Sequence, residues 1–268
     1  MIILLFLLIV VTFINMYVVY NTHIYTEQFS NESFIDNIDK CIYINLEKRE
    51  DRKKQIEEEF KKLQIPDSKI HRIDAVYEKY NGHIGACKSH IKSLEYAKNN
   101  KFKTVIIFED DFVFTKEQNE IKNKLDLFFK KFKHNWDVVM LTLCHNDIKD
   151  IDSNVNKPII FIKKVIWGTC ASAYIIQEHY YDSLLDVFKD ALHHMEKEMK
   201  EFNEENNNEK KKKFTTSYAL DQHWGKLQKK DKWYTFFPFL GKQNPLGSTI
   251  MGHIENFINN VRIYNIQI

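Results

Sequence analysis

Apolar and polar positions along this chain fall into blocks whose period changes several times. "KCIYINL" (Lys40–Leu46) is an apolar run of strand length. "KREDRKKQIEEEFKKLQI" follows and spaces Ile56, Phe60 and Leu63 along one face of a helix that Pro66 stops. "KIHRIDAV" predicts a second strand. "GHIGACKSHIKSLEYAKNN" opens on a glycine pair, then sets Ile84, Cys87, Ile91, Leu94 and Ala97 on one side of a helix. "KTVIIF" predicts a third, fully buried strand, a helix runs through residues 125–132, and "DVVMLTL" predicts a fourth strand. Strands and helices alternating at these lengths predict an α/β layer architecture with a mainly parallel central sheet.

The second half is less regular. "KPIIFIKKVIWGTCASAYII" predicts two strands joined near Gly168, with a helix from Glu178 to Phe202 after them. "NEENNNEKKKKF" reads as a solvated charged segment. "SYALDQHWGKLQ" predicts a helix, "KWYTFFPFL" a strand and "GKQNPLGSTIMGH" a loop. At the other end, "MIILLFLLIVVTFINMYVVY" carries no charged side chain and is long enough to cross a bilayer as a helix. It lacks the basic start and small-residue cleavage site of a signal peptide. The chain is therefore expected to divide into an N-terminal transmembrane anchor over 1–20, with a cleaved signal peptide its main competitor, a stem over 21–39 and one domain over 40–268. No Lys or Arg precedes Lys40, so the positive-inside signal is nearly silent. A single anchor ahead of all the polar mass suits a membrane protein with its domain on the non-cytoplasmic side.

With 44% hydrophobic residues among 268, the chain can bury a sizeable core. Its 39 basic and 37 acidic side chains nearly cancel, giving no case for nucleic-acid binding. Cys41, Cys87, Cys144 and Cys170 form no CxxC pair, which argues against a zinc site and for buried free thiols.

The candidate chemistry centres on "VIIFEDDFVF". Glu109, Asp110 and Asp111 stand at the carboxyl end of the third strand, where open α/β sheets collect their ligands. Three adjacent carboxylates raise one another's pKa unless a cation counters them. A hard divalent cation, Mg²⁺ or Mn²⁺, takes oxygen ligands of this kind and shares them with substrate phosphates. Glu109 and Asp111, two apart, aim the same way from an extended backbone, and Asp110 points elsewhere, toward a sugar hydroxyl or a base. A solvated acidic turn is the plainer alternative.

"IYINLEKREDR", "GHIGACKSH" and "VIIFEDDF", in this order, resemble glycosyltransferase family 25, which includes lipooligosaccharide and procollagen galactosyltransferases. "GTCASAYII", "ALDQHW" and "PFLGKQNPLGSTI" continue the resemblance. It implies a GT-A-like nucleotide-sugar-binding fold, Mn²⁺ or Mg²⁺, and a UDP-sugar donor, commonly UDP-galactose. The implied reaction moves a hexose, with inversion, to a hydroxyl of a glycan, a lipooligosaccharide or a collagen-like protein. On this resemblance Asn45 and Leu46 would hold uridine and ribose, and Arg49 and Arg52 the phosphates. Ser89 and His90 match a Ser-His pair, with His90 bonding donor or acceptor. Asp110, Gln243 and Ser248 would also contact the donor. Glu109 and Asp111, with His253, would bind the metal, and Asp221 would be the base that takes the acceptor proton. The sequence departs from the pattern at His83, where an acidic residue is usual, at Ala86, and at Thr249, which leaves the donor sugar open. A Mg²⁺-dependent phosphohydrolase and a non-catalytic sugar-binding relative are the competing readings.

Overall fold

The computed structural model describes residues 33–79, 81–151, 161–205 and 216–244, together with Val11, Thr12 and Asn15. The anchor expected over 1–20, those three residues apart, and the candidate site residues Ser248 and His253 lie outside the described residues. No helix among the described residues is long and apolar enough to cross a membrane.

The chain enters through a helical turn at Phe34–Asn37 and then runs β1 (Lys40–Asn45), α1 (Glu50–Lys62), β2 (Ile70–Asp74), α2 (Gly82–Asn99) and β3 (Thr104–Glu109). After β4 (Phe112–Phe114) and α3 (Gln118–Phe132) come β5 (Val138–Met140), β6 (Asn146–Asp150), β7 (Ile162–Gly168) and β8 (Ala173–Gln177). The long α4 (Tyr181–Glu205), the short α5 (Leu220–His223) and α6 (Gly225–Gln228), β9 (Trp233–Phe236) and β10 (Gly241–Gln243) are the remaining elements among the described residues.

Eight of these strands form one sheet in the order β2-β1-β3-β8-β5-β9-β7-β6. β1 runs parallel to β2 and β3, and β5 parallel to β9. β8 and β7 oppose their neighbours on both sides, so the other six strands all point one way. The expected α/β architecture with a mainly parallel sheet is therefore present.

Strict alternation along the strands feeds two cores. Ile42, Ile44, Val105, Ile107, Tyr174 and Ile176 pack on the face that α2 and α4 cover. Cys41, Tyr43, Ile106, Phe108, Ala173 and Ile175 pack on the opposite face, under α1 and α3. A sheet covered on both sides needs near-continuous apolar strands, which is what "CIYI" and "VIIF" supply.

Several expectations need correction. Within the stretch expected as a stem over 21–39, Phe34 and Ile38 are instead buried in the second core, and Phe34 N donates to Asp126. The loop read from Gly241 begins as β10, which pairs with β4, a strand too short to show a pattern of its own. The helix read over "SYALDQHWGKLQ" breaks into α5 and α6 around the buried Trp224, whose indole N–H donates to Gly168 O at 2.9 Å. All four cysteines are free thiols, and Cys144 is exposed where burial was expected.

Candidate active site

The parallel register β1–β3 brings Ile44 level with Glu109, and β1–β2 brings Asn45 level with Asp74. The carboxyl ends of the three strands thus share one edge. A cavity of about 310 Å³ opens there, at the small end of the range for small-molecule sites. Its lining includes Leu46, Arg52, Ser89, His90 and Gln243 together with all of Glu109, Asp110 and Asp111. The Ala75–Lys79 segment and Lys48 form another part of its wall, with Lys48 Nζ 3.7 Å from the centre of the Tyr77 ring.

The three carboxylates differ in how the protein treats them. The chain turns directly after Glu109, so Asp110 and Asp111 sit in a tight β3–β4 turn and not on the extended backbone the sequence suggested. Asp110 is satisfied internally. Asn45 Nδ2 donates to its Oδ2 at 2.7 Å and Arg52 Nη1 to its Oδ1 at 3.0 Å. Asp111 is half satisfied. Gln243 Nε2 donates to Oδ2 at 3.1 Å and Arg52 Nη1 stands 3.4 Å from the same oxygen, while buried Oδ1 has no hydrogen-bond partner among the described residues. Glu109 Oε1 lies 3.3 Å from His90 Nε2.

Burial raises the Asp110 carboxyl above its ordinary range. Asp111 is pushed up to about 7, first by burial and then by the neighbouring Glu109 charge, against the opposing pull of Arg52. One guanidinium thus faces two buried acids with a third beside them. One oxygen of the cluster is orphaned among the described residues.

That orphaned oxygen is the test of whether a divalent cation fits. Among the described residues no three His, Cys, Asp or Glu side chains converge as a complete metal cage. Small hard cations do not need one, since they are commonly held by one or two carboxylates with phosphates and waters completing the shell. Asp111 Oδ1 and the carboxylate of Glu109 supply that partial set.

The remaining site residues fall into place around the cavity to different degrees. Asn45 is buried behind the cavity wall, a hub that holds Asp110 and accepts from Arg72 Nε at 3.0 Å. Arg49 pairs bidentately with Asp51 at 2.8 and 2.9 Å and is not part of the cavity lining. Ser89 uses its hydroxyl within the protein, accepting from Val76 N at 2.8 Å and donating to Gly85 O at 2.7 Å. Gly85 comes close to the chain itself, since a Cβ there would stand 2.5 Å from Val76 O. Asn81 Oδ1 already accepts from His83 N and Ile84 N at the start of α2. Asp221 stands apart from the cavity lining and accepts from Cys170 N at 2.9 Å. Burial raises its carboxyl, with the charge of Glu109 a smaller contribution. Cys170 holds a left-handed φ of 89°, a conformation that non-glycine residues avoid and that often marks a site.

Sequence reasoning missed Tyr174, whose hydroxyl meets His90 Nδ1 at 3.0 Å. The signal was available, because a tyrosine inside a fully apolar strand has to find its hydroxyl a partner. It also missed Lys48 and Tyr77, which only the fold brings to the cavity.

No family model matches the sequence, and no curated protein matches it. Among solved structures, A197 from STIV aligns at a TM-score of 0.36 and 11% identity over 73% of this chain and 81% of that one. A glycosyltransferase involved in the glycosylation of the major capsid of PBCV-1 aligns at 0.36 and 9% over 74% and 92%. The 4-diphosphocytidyl-2C-methyl-D-erythritol synthase of Anaerococcus prevotii aligns at 0.36 and 12% over 75% and 73%. Likenesses this distant carry no inference about activity.

Proposed function

We propose that this chain is a membrane-anchored, metal-dependent glycosyltransferase of family 25. In this reading it moves a hexose, galactose for preference, from a UDP-sugar to a hydroxyl of a glycan or glycoprotein with inversion. The observation that carries the reading is the unpartnered, buried Asp111 Oδ1 beside Glu109 in a cavity at the carboxyl ends of β1, β2 and β3. The ordered motifs supply the reaction class, and the anchor over 1–20 supplies the location, outside the cytoplasm.

A divalent cation on Glu109 and Asp111 would neutralise the diphosphate as it departs. The chain's own groups prepare for that charge. Arg52 keeps Asp110 and Asp111 together, and Gln243 turns Asp111 so that one oxygen remains for a ligand. Leu46 borders the place where a nucleoside would lie, with Asn45 behind it holding Asp110, and Lys48 and Lys79 bring positive charge to the wall against phosphate. We assign the acceptor proton to the Asp221 carboxylate, whose raised pKa makes it a stronger base than an exposed aspartate. Ser248 and His253 keep their proposed roles in the donor and metal shells.

Thermal melts of the purified chain with a panel of nucleotide-sugars, with and without Mn²⁺, test this reading. A UDP-sugar at about 100 times its Kd should stabilise the fold by about 2.7 kcal/mol, and only with the cation present. Asp221→Asn should keep that shift and lose transfer. Phosphate release from simple esters without any sugar acceptor would instead favour the phosphohydrolase, and no shift from any nucleotide-sugar would refute the proposal.

A further inference from the structure

Behind the Glu109 carboxylate runs a buried hydrogen-bonded chain that starts on the antiparallel strand β8. Glu109 continues the β3 parity of Val105 and Ile107, so it faces the α2 side of the sheet. Tyr174 lies opposite Ile107 on β8 and faces the same way. His90 sits on the α2 stripe of Cys87, Ile91 and Leu94 that packs on this face. The three side chains are therefore stacked by the periods of two strands and one helix. His90 and Tyr174 are both fully buried, their rings near parallel at 21° with centroids 5.7 Å apart, and Phe188 meets His90 edge-on.

A neutral imidazole carries one proton, and its two nitrogens must take opposite roles. The phenol of Tyr174 keeps its proton, because burial and the Glu109 charge push its pKa far above the ordinary value. That phenol can donate or accept, whereas the carboxylate of Glu109 is an acceptor, so the arrangement that satisfies all three groups has the Tyr174 O–H donating to Nδ1 across 3.0 Å and the ring proton on Nε2, 3.3 Å from Glu109 Oε1.

We propose that Tyr174 is a positioning residue for a divalent-cation site. Through its hydroxyl it fixes His90 as the Nε2–H tautomer, which holds Glu109 Oε1 and orients that carboxylate for the cation. The cation half of this inference rests on the function proposed above, whereas the tautomer half does not. Hydrogen bonds from such outer partners set the orientation and basicity of metal-binding groups, and their loss typically weakens binding about 10- to 100-fold.

The test has one arm without metal and one with it. In the metal-free protein with ¹⁵N-labelled histidine, the signal lost in His90→Gln identifies His90. It should show a protonated Nε2 and a bare Nδ1, and Tyr174→Phe should turn it into a mixture of tautomers. In the second arm, titration with Mn²⁺ followed by electron paramagnetic resonance should show about tenfold weaker binding in Tyr174→Phe, the low end of that range. His90→Gln, which offers an amide donor near the place of Nε2, should bind better than His90→Phe. In the His90→Gln background Tyr174→Phe should cost nothing more. A wild-type His90 protonated on Nδ1, alone or together with Nε2, would overturn the proposal. So would a Tyr174→Phe protein with unchanged spectrum and unchanged Mn²⁺ affinity. If the wild type shows the tautomer signature but binds no Mn²⁺, the function proposed above fails while the fixing of His90 by Tyr174 stands.

Discussion

Asp111→Asn is expected to raise the stability of the metal-free protein while removing its activity. The carboxyl of Asp111 is buried and has Glu109 as a like-charged neighbour, so its ionised form is costly in the empty fold. An amide fills the same space, still accepts from Gln243 Nε2, and carries no charge to desolvate. We expect a gain of about 1 kcal/mol, or roughly 2–4 °C in Tm for a domain of this size. The same change takes away the orphaned anionic oxygen. Transfer should fall by about 10³-fold or more, the several kcal/mol that a lost cation represents at a departing diphosphate. Melting curves and a transfer assay on the one variant check both halves. A variant that loses stability and keeps activity would mean that Asp111 serves the fold and not a ligand.

Arg52→Met is expected to damage the fold itself. Its guanidinium is largely buried and contacts both Asp110 and Asp111, so removing it leaves two buried carboxylates beside a third with no protein cation between them. Breaking a buried pair from one side costs about 3–5 kcal/mol. Restoring charge balance with Asp110→Asn and Asp111→Asn in the same chain should return much of that loss, because residues in one ionic network are strongly non-additive. Denaturant midpoints of the single, double and triple variants measure this coupling. Purely additive losses would reduce Arg52 to a packing side chain.

Much of this site could be read from the sequence, and the parts that could not have physical reasons. The order β1-α1-β2-α2-β3 and the carboxylates at the end of β3 follow from local period, because a two-sided parallel sheet writes continuous apolar runs. The resemblance gave Arg52 to phosphate, yet it lies one helical turn before Ile56 and two before Phe60, on the stripe that α1 buries. That spacing pointed to a buried ion pair. His90 was similarly legible as part of the inward stripe of α2. The position of β8 was not, since alternation tells which residues face a core but not that a late strand enters between β3 and β5 in the opposite sense. The pairing of β4 with β10, which sets Gln243 on Asp111, joins two three-residue strands more than a hundred residues apart, and no local pattern encodes it.

In the proposed function, Glu109 and Asp111 would share one divalent cation with a nucleotide diphosphate. A crystal structure with Mn²⁺ and UDP, using anomalous scattering to locate manganese, tests it most directly. The expected result is one peak about 2.1 Å from Asp111 Oδ1 and from a Glu109 oxygen, next to the diphosphate oxygens. UDP bound with both carboxylates unliganded, or manganese seated away from the end of β3, would contradict it.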